Sequence, residues 1–339
     1  MTQSLAPAPA HPAGAPVLPR SGRLLRAVAI VSCLPYLSLK IAWVAGSGIG
    51  VPAGSPLLEN RTSLVVANLL TVLMDSAVIV LALLLTRPWG RRVPAWLLTL
   101  PMWAATGLLA PIMTGYPLQL LVTAFGGGRA GTDGGSGEPF LDSWVFAVVY
   151  GGFIVQGLAL GTLFVRYARD RWGHLWQGRV WDLPAGTMGP AQRAAAVAAA
   201  VLALFPLALR LLWACGGTTG LSEGVIADRG SDFHVLEALY VVFILVAVAA
   251  GGMLAFRRGR ALPVRVPLAL AWVCSGAVAC WGGWMAAASL VPSDDPADRP
   301  TQLMYLAYAG QMTVGLLVAS VGAHYLAKRS ATAARRPTA

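Results

Sequence analysis

The chain has 339 residues, 57% of them hydrophobic and only 12% charged, with a mean hydropathy of +0.66. Soluble domains average about 25% charged residues, so the composition excludes a water-soluble globular domain and a disordered chain alike. The net charge of +11 does not imply nucleic acid as a partner. Its basic residues are scattered over short connections, not gathered on one face, and the attraction expected is to anionic lipid.

The apolar residues fall in eight blocks of about 20, the length that crosses a hydrocarbon core about 30 Å thick. Residues 1–22, rich in Ala and Pro and free of acids, read as a disordered arm. The spans predicted next are Ala27–Gly46, Leu64–Thr86, Val93–Met113 and Ser143–Val165, and they make a first four-helix half over 23–172. A linker over 173–193 leads to Ala195–Cys215, Val235–Phe256, Val266–Ala286 and Gln302–Ala323, a second half over 194–329. Residues 330–339 read as a second tail. Every span should be helical, because lipid offers no partner for an open backbone group. The expected fold class is therefore an all-α integral membrane protein.

Nineteen of the 25 basic residues fall on one side of these spans, from Arg20, Arg23 and Arg26 to Arg335 and Arg336. Arg61, Arg129, Arg229 and Arg299 are the four on the other side, and Lys40 and Arg210 lie within spans. This asymmetry predicts cytoplasmic termini in a multi-pass protein of the cell membrane. Arg20, Arg23 and Arg26 before an apolar run resemble a secretory signal, but no small-residue cleavage site follows, so an uncleaved first helix is expected. Cys33, Cys215, Cys274 and Cys280 form no CxxC pair and imply neither a disulfide framework nor a zinc site.

The halves share a pattern. Lys40-x-x-Trp43-x-x-Gly46 recurs as Arg210-x-x-Trp213-x-x-Gly216, and Arg87 recurs as Arg257, all at an offset of 170. Arg92-Val93-Pro94 recurs as Arg265-Val266-Pro267. Tyr150, Gly152, Gly157, Tyr167 and Arg171 recur as Tyr308, Gly310, Gly315, Tyr325 and Arg329. Matches kept in order, with shifts absorbed in loops, point to an internal duplication. Four spans per half would leave both halves facing the same way, with a site near their interface.

Asp75 is the costliest residue. It lies about 16 Å into its span, where a bare acid costs at least about 2.5–3.5 kcal/mol. Lys40, an axial step of roughly 6 Å away at 1.5 Å per residue, is the expected partner. Arg210 with Glu237 makes a second candidate pair. Trp43 and Trp213 accompany the two cations, and Trp103, Trp272, Trp281 and Trp284 also fall within spans, where they could pack or line a cavity. Asp294, Asp295 and Asp298 form a DDxxD pattern suited to magnesium. It lies in an outer loop among many other acids, so a solvated acidic loop is the expected reading, with no metal or other cofactor. Gly126-x-Gly128-x-x-Gly131 matches a dinucleotide fingerprint by letters only, with no strand before it.

The Ala/Arg/Gly-rich style and the PYLSLKIAW run over Pro35–Trp43 resemble polytopic membrane proteins of GC-rich bacterial genomes. That resemblance implies no activity and transfers no site residue. The leading expectation is binding or transport of a small amphiphilic or lipid-like solute near Asp75 and Lys40. A membrane-embedded enzyme acting on a lipid or isoprenoid, terpene-cyclase-like with Asp75 as general acid, stays open. So does a sensor or an assembly partner of another membrane protein.

The orientation has a direct test in a cysteine-free background. Single cysteines at Ser136 and Ser293 are expected to react with an impermeant maleimide added to intact cells, and one at Thr187 to stay unlabelled until lysis. The reverse pattern would invert the topology.

Overall fold

The computed structural model describes residues 20–52, 61–126, 141–180, 188–259, 261–290 and 295–334, without the side chains of 61–64, 67 and 334. All regular structure among these residues is helical, and eight helical segments are long and apolar enough to cross a membrane. The first segment is a pair, α1 (Arg20–Val31) and α2 (Leu34–Val44). Next come α3 (Arg61–Thr86), α4 (Ala95–Ala124), α5 (Ser143–Trp172) and α6 (Pro190–Ala214). A five-residue α7 (Glu223–Ala227) precedes α8 (Ser231–Phe256), α9 (Arg265–Ala288) and α10 (Gln302–Ala334). The architecture is that of a multi-pass integral membrane protein.

Three elements differ from the sequence reading. The first span is broken at Ser32–Cys33, because Pro35 opens α2 and has no amide to carry the helical ladder across. Ser32 Oγ and Cys33 Sγ both donate to the Ala29 carbonyl at the break. In contrast, α4 continues 11 residues past Met113 with Pro101, Pro111 and Pro117 inside it. Proline is tolerated inside spanning helices, and the α4 backbone accepts side-chain donors. Thr106 Oγ1 donates to Met102 O at 2.7 Å, and Trp281 Nε1 donates to Leu108 O at 3.1 Å. Finally, α10 runs through Ala334 into the stretch read as a tail, since its alanines favour helix.

The helices form two groups. In each, the first span packs on the second and fourth, and the third packs on the same two. The second group, α6 with α8, α9 and α10, is the denser, with a core that includes Ile244, Leu254, Val278, Val314 and Val318. Small residues bring α9 and α10 together. A Cβ at Gly282 would strike the Met312 backbone, and one at Gly315 would strike Ser275 and Ala279. In the first group the core of Ala29, Leu98, Met102, Leu160 and Leu163 lies towards the arginine-rich end. There Tyr167 Oη donates to Gly90 O at 3.0 Å and Arg171 Nη2 to Val93 O at 3.0 Å.

Two corners are built alike. After α2, Gly46 takes φ 94° and after α6 Gly216 takes φ 94°, the left-handed cap that glycine supplies at low cost. Trp43 Nε1 then donates to Ile49 O at 2.7 Å, and Trp213 Nε1 to Thr219 O at 3.0 Å.

The groups meet where α4 packs on α8 and α9. Gly107 and Gly276 sit backbone to backbone, so that a Cβ at Gly107 would run into the Gly276 carbonyl. Trp103 Nε1 donates to Ser275 Oγ beside them at 3.1 Å. Small-residue contacts of this kind replace hydrophobic driving force inside lipid. Gly107→Leu or Gly276→Leu is therefore expected to lower stability by about 1–3 kcal/mol through overpacking. Gly161→Ala, which meets nothing within 4 Å, should leave the thermal unfolding midpoint in detergent unchanged.

Candidate functional site

Asp75 is 5% exposed, and its side chain helps line a cavity of ≈ 350 Å³. Five helices enclose it. Thr71, Met74 and Asp75 come from α3, Pro101, Ala104 and Leu108 from α4, and Phe153 with Gln156 from α5. Tyr36 enters from α2, and Trp281 and Trp284 reach across from α9. The prolines of α4 and the break before α2 leave room here that the second group fills with side chains. The cavity is thus walled mainly by the first group, with two tryptophans of the second completing its lining.

Asp75 has no ionic partner in contact. Its Oδ2 is buried without a hydrogen bond, and Gln156, itself 2% exposed, is the amide set beside the carboxyl. The Lys40 ammonium does not reach the acid. It sits 4.9 Å from the Tyr36 ring centroid and 5.1 Å from that of Trp43, so the expected contact pair reduces to a through-space interaction. Trp43 is buried with Leu39 and Val145 away from the cavity lining. Its indole proton is used by the corner described above.

Arg210 and Glu237 behave in the opposite way. They are each 4% exposed and form an ion pair of 2.6 Å between Nη1 and Oε1. Arg210 Nε also donates to Gln311 Oε1 at 3.2 Å. The guanidinium lies 4.6 Å from the Tyr240 ring centroid and 5.5 Å from those of Trp213 and Tyr308. None of these residues lines the Asp75 cavity. Glu237 Oε2 and Gln311 Nε2 remain without hydrogen bonds, but the charges themselves are matched.

The acidic loop also resolves in part. Asp295 Oδ1 accepts from Ala297 N at 2.8 Å and so caps its own turn. The Asp298 carboxylate lies directly against Gly224. Asp294 lies outside the described residues, and so does most of the Gly126–Gly131 stretch. No three His, Cys, Asp or Glu side chains converge on a metal position among the described residues.

Gln156 and Gln311 were not singled out from sequence, although an amide inside an apolar span carries the same signal as a charge, at lower strength. Tyr36 and Tyr240 gave no signal, since an aromatic residue in a span is ordinary. Comparison of the chain with protein families, curated proteins and solved structures gives no match. The class of the protein follows from its helices, and its activity must be argued from this cavity.

The two acids should respond differently to neutralisation. Glu237→Gln strands the buried Arg210, a loss of about 3–5 kcal/mol, and adding Arg210→Met should recover most of it. Asp75→Asn breaks no ion pair and should change stability by less than about 1 kcal/mol, since an uncharged amide is the easier group to bury. Denaturation in mixed micelles measures both. A large loss for Asp75→Asn that Lys40→Met rescues would make Asp75 a strut.

Proposed function

We propose that the protein binds, and in the course of transport releases, a small amphiphilic or lipid-like solute in the cavity beside Asp75. The observation that carries this reading is the juxtaposition of a buried, unpartnered carboxylate oxygen with a ≈ 350 Å³ cavity. Sites for small ligands are typically apolar cavities of roughly 300–1,000 Å³ with few polar groups, and an intramembrane acid without a structural partner is a functional candidate by default. We further infer a cell-membrane protein with both termini cytoplasmic, from the charge asymmetry. Its two halves would be duplicates. The recurring residues, the common pattern of helix contacts and the matched Trp43 and Trp213 corners support that inference.

A second reading draws on the rings of Tyr36, Phe153, Trp281 and Trp284 in the same lining. Aromatic faces stabilise cationic centres, so Asp75 as a general acid would suit an enzyme acting on an isoprenoid inside the membrane.

Native mass spectrometry of the protein released from its own membrane tests both. Wild type should retain a small molecule that the cavity-filling Ala104→Phe protein lacks. A molecule seen equally on both proteins is surface lipid and would remove the binding reading. A mixture of a prenyl substrate and its cyclised product would favour the enzyme.

A further inference from the structure

The second group contains, built from its own side chains, an organic cation in a matched site. The Arg210 guanidinium is paired with a carboxylate from the second span of its half, touched by a glutamine from the fourth span, and surrounded by three aromatic rings. The Asp75 cavity has the same chemistry without the cation. It has a carboxylate from the second span, a glutamine from the fourth, and the rings of Tyr36, Phe153, Trp281 and Trp284. Lys40 is the nearest cation, but its ammonium is held over Tyr36 and Trp43 and leaves Asp75 Oδ2 without a donor.

Three properties of this cavity narrow its ligand. The orphaned acceptor calls for a group that can donate a hydrogen bond, and burial makes an ionic donor the stronger choice. An anion would be placed against Asp75 where little water screens the repulsion. Apart from Thr71 and Gln156 the remaining walls are aliphatic and aromatic, so the body of the ligand must be apolar, and rings favour a cation over a neutral group of the same shape. We propose that the cavity takes a lipophilic amine in its protonated form, its nitrogen donating to Asp75 Oδ2 and its apolar body lying among Phe153, Trp281 and Trp284. This rests on the reading of the cavity as a binding site. Lys40 then acts as a standing positive charge near the amine, which tempers the affinity and favours release.

Three rigid probes of nearly equal shape separate charge from size: 1-adamantylamine, 1-adamantanol and adamantane-1-carboxylate. Calorimetric titration of the purified full chain in detergent is expected to show saturable amine binding, roughly tenfold or more tighter than the alcohol. Asp75→Asn should abolish that preference and leave the alcohol unchanged. Lys40→Met should tighten the amine, because a like charge is removed. Partition into micelles is common to wild type and variants and cancels in the comparison. Equal affinity for amine and alcohol in wild type would overturn the cation assignment while leaving the cavity a binding site. Preference for the carboxylate would overturn it too, in favour of Lys40 as the anchor. No binding of any probe by protein that unfolds cooperatively would remove both this assignment and the binding reading.

Discussion

A carboxylate carried into hydrocarbon must find a cation, a hydrogen-bond donor or a proton, because the isolated charge is too expensive to bury. Much of this molecule is arranged around that requirement, and it is met in two ways. In the second group Glu237 is matched by Arg210 at 2.6 Å, and three aromatic rings surround the guanidinium. In the first group Asp75 is given an amide neighbour and a cavity. The first arrangement pairs its charges, whereas the second leaves Asp75 Oδ2 without a hydrogen bond.

Packing decides which arrangement each group can hold. Gly282 and Gly315 let α9 and α10 approach until backbone meets backbone, and close contact of this sort is what binds helices in lipid. The first group has no equivalent closure along its length. Pro35 lies just past the break between α1 and α2, and Pro101 lies where α4 borders the cavity. Prolines displace a helix from its straight path, and neighbours then cannot seal against it everywhere. Trp281 and Trp284 line the cavity from α9, with the Trp281 indole bonded to the α4 backbone. The cavity is therefore a joint product of one loose group and one rigid one.

The class of fold was legible because it rests on a long-range average. Twenty apolar residues in succession have one solution in lipid, and all eight spans could be placed from that alone. Features that depend on a single bond were not legible. Pro35 lies just past a break in its helix, while Pro101, Pro111 and Pro117 lie inside a continuous one, and nothing in the residue type separates the two outcomes. Within the site, Asp75, Lys40, Arg210 and Glu237 stood out because a charge in a span is rare. Which of them touch was hidden, since side-chain reach depends on helix rotation and tilt. Gln156 and Gln311 were hidden by their neutrality, although the first lies beside Asp75 and the second accepts from Arg210.

The failure of Lys40 to reach Asp75 has a simple geometric source. Arg210 and Lys40 occupy matching places, each three residues before the tryptophan of its corner. Their acids do not. Glu237 lies 20 residues before Arg257 and Asp75 only 12 before Arg87, which places Asp75 about 12 Å nearer the arginine-rich end of its helix at 1.5 Å per residue. A cation that meets an acid at the level of Glu237 must fall short of one set two turns further in. Tyr36, about one turn before Lys40 on the same helix, takes the ammonium over its ring instead. The different places of the two acids along their helices, with the cations at like distances from their tryptophans, account for an ion pair at Arg210 and none at Lys40.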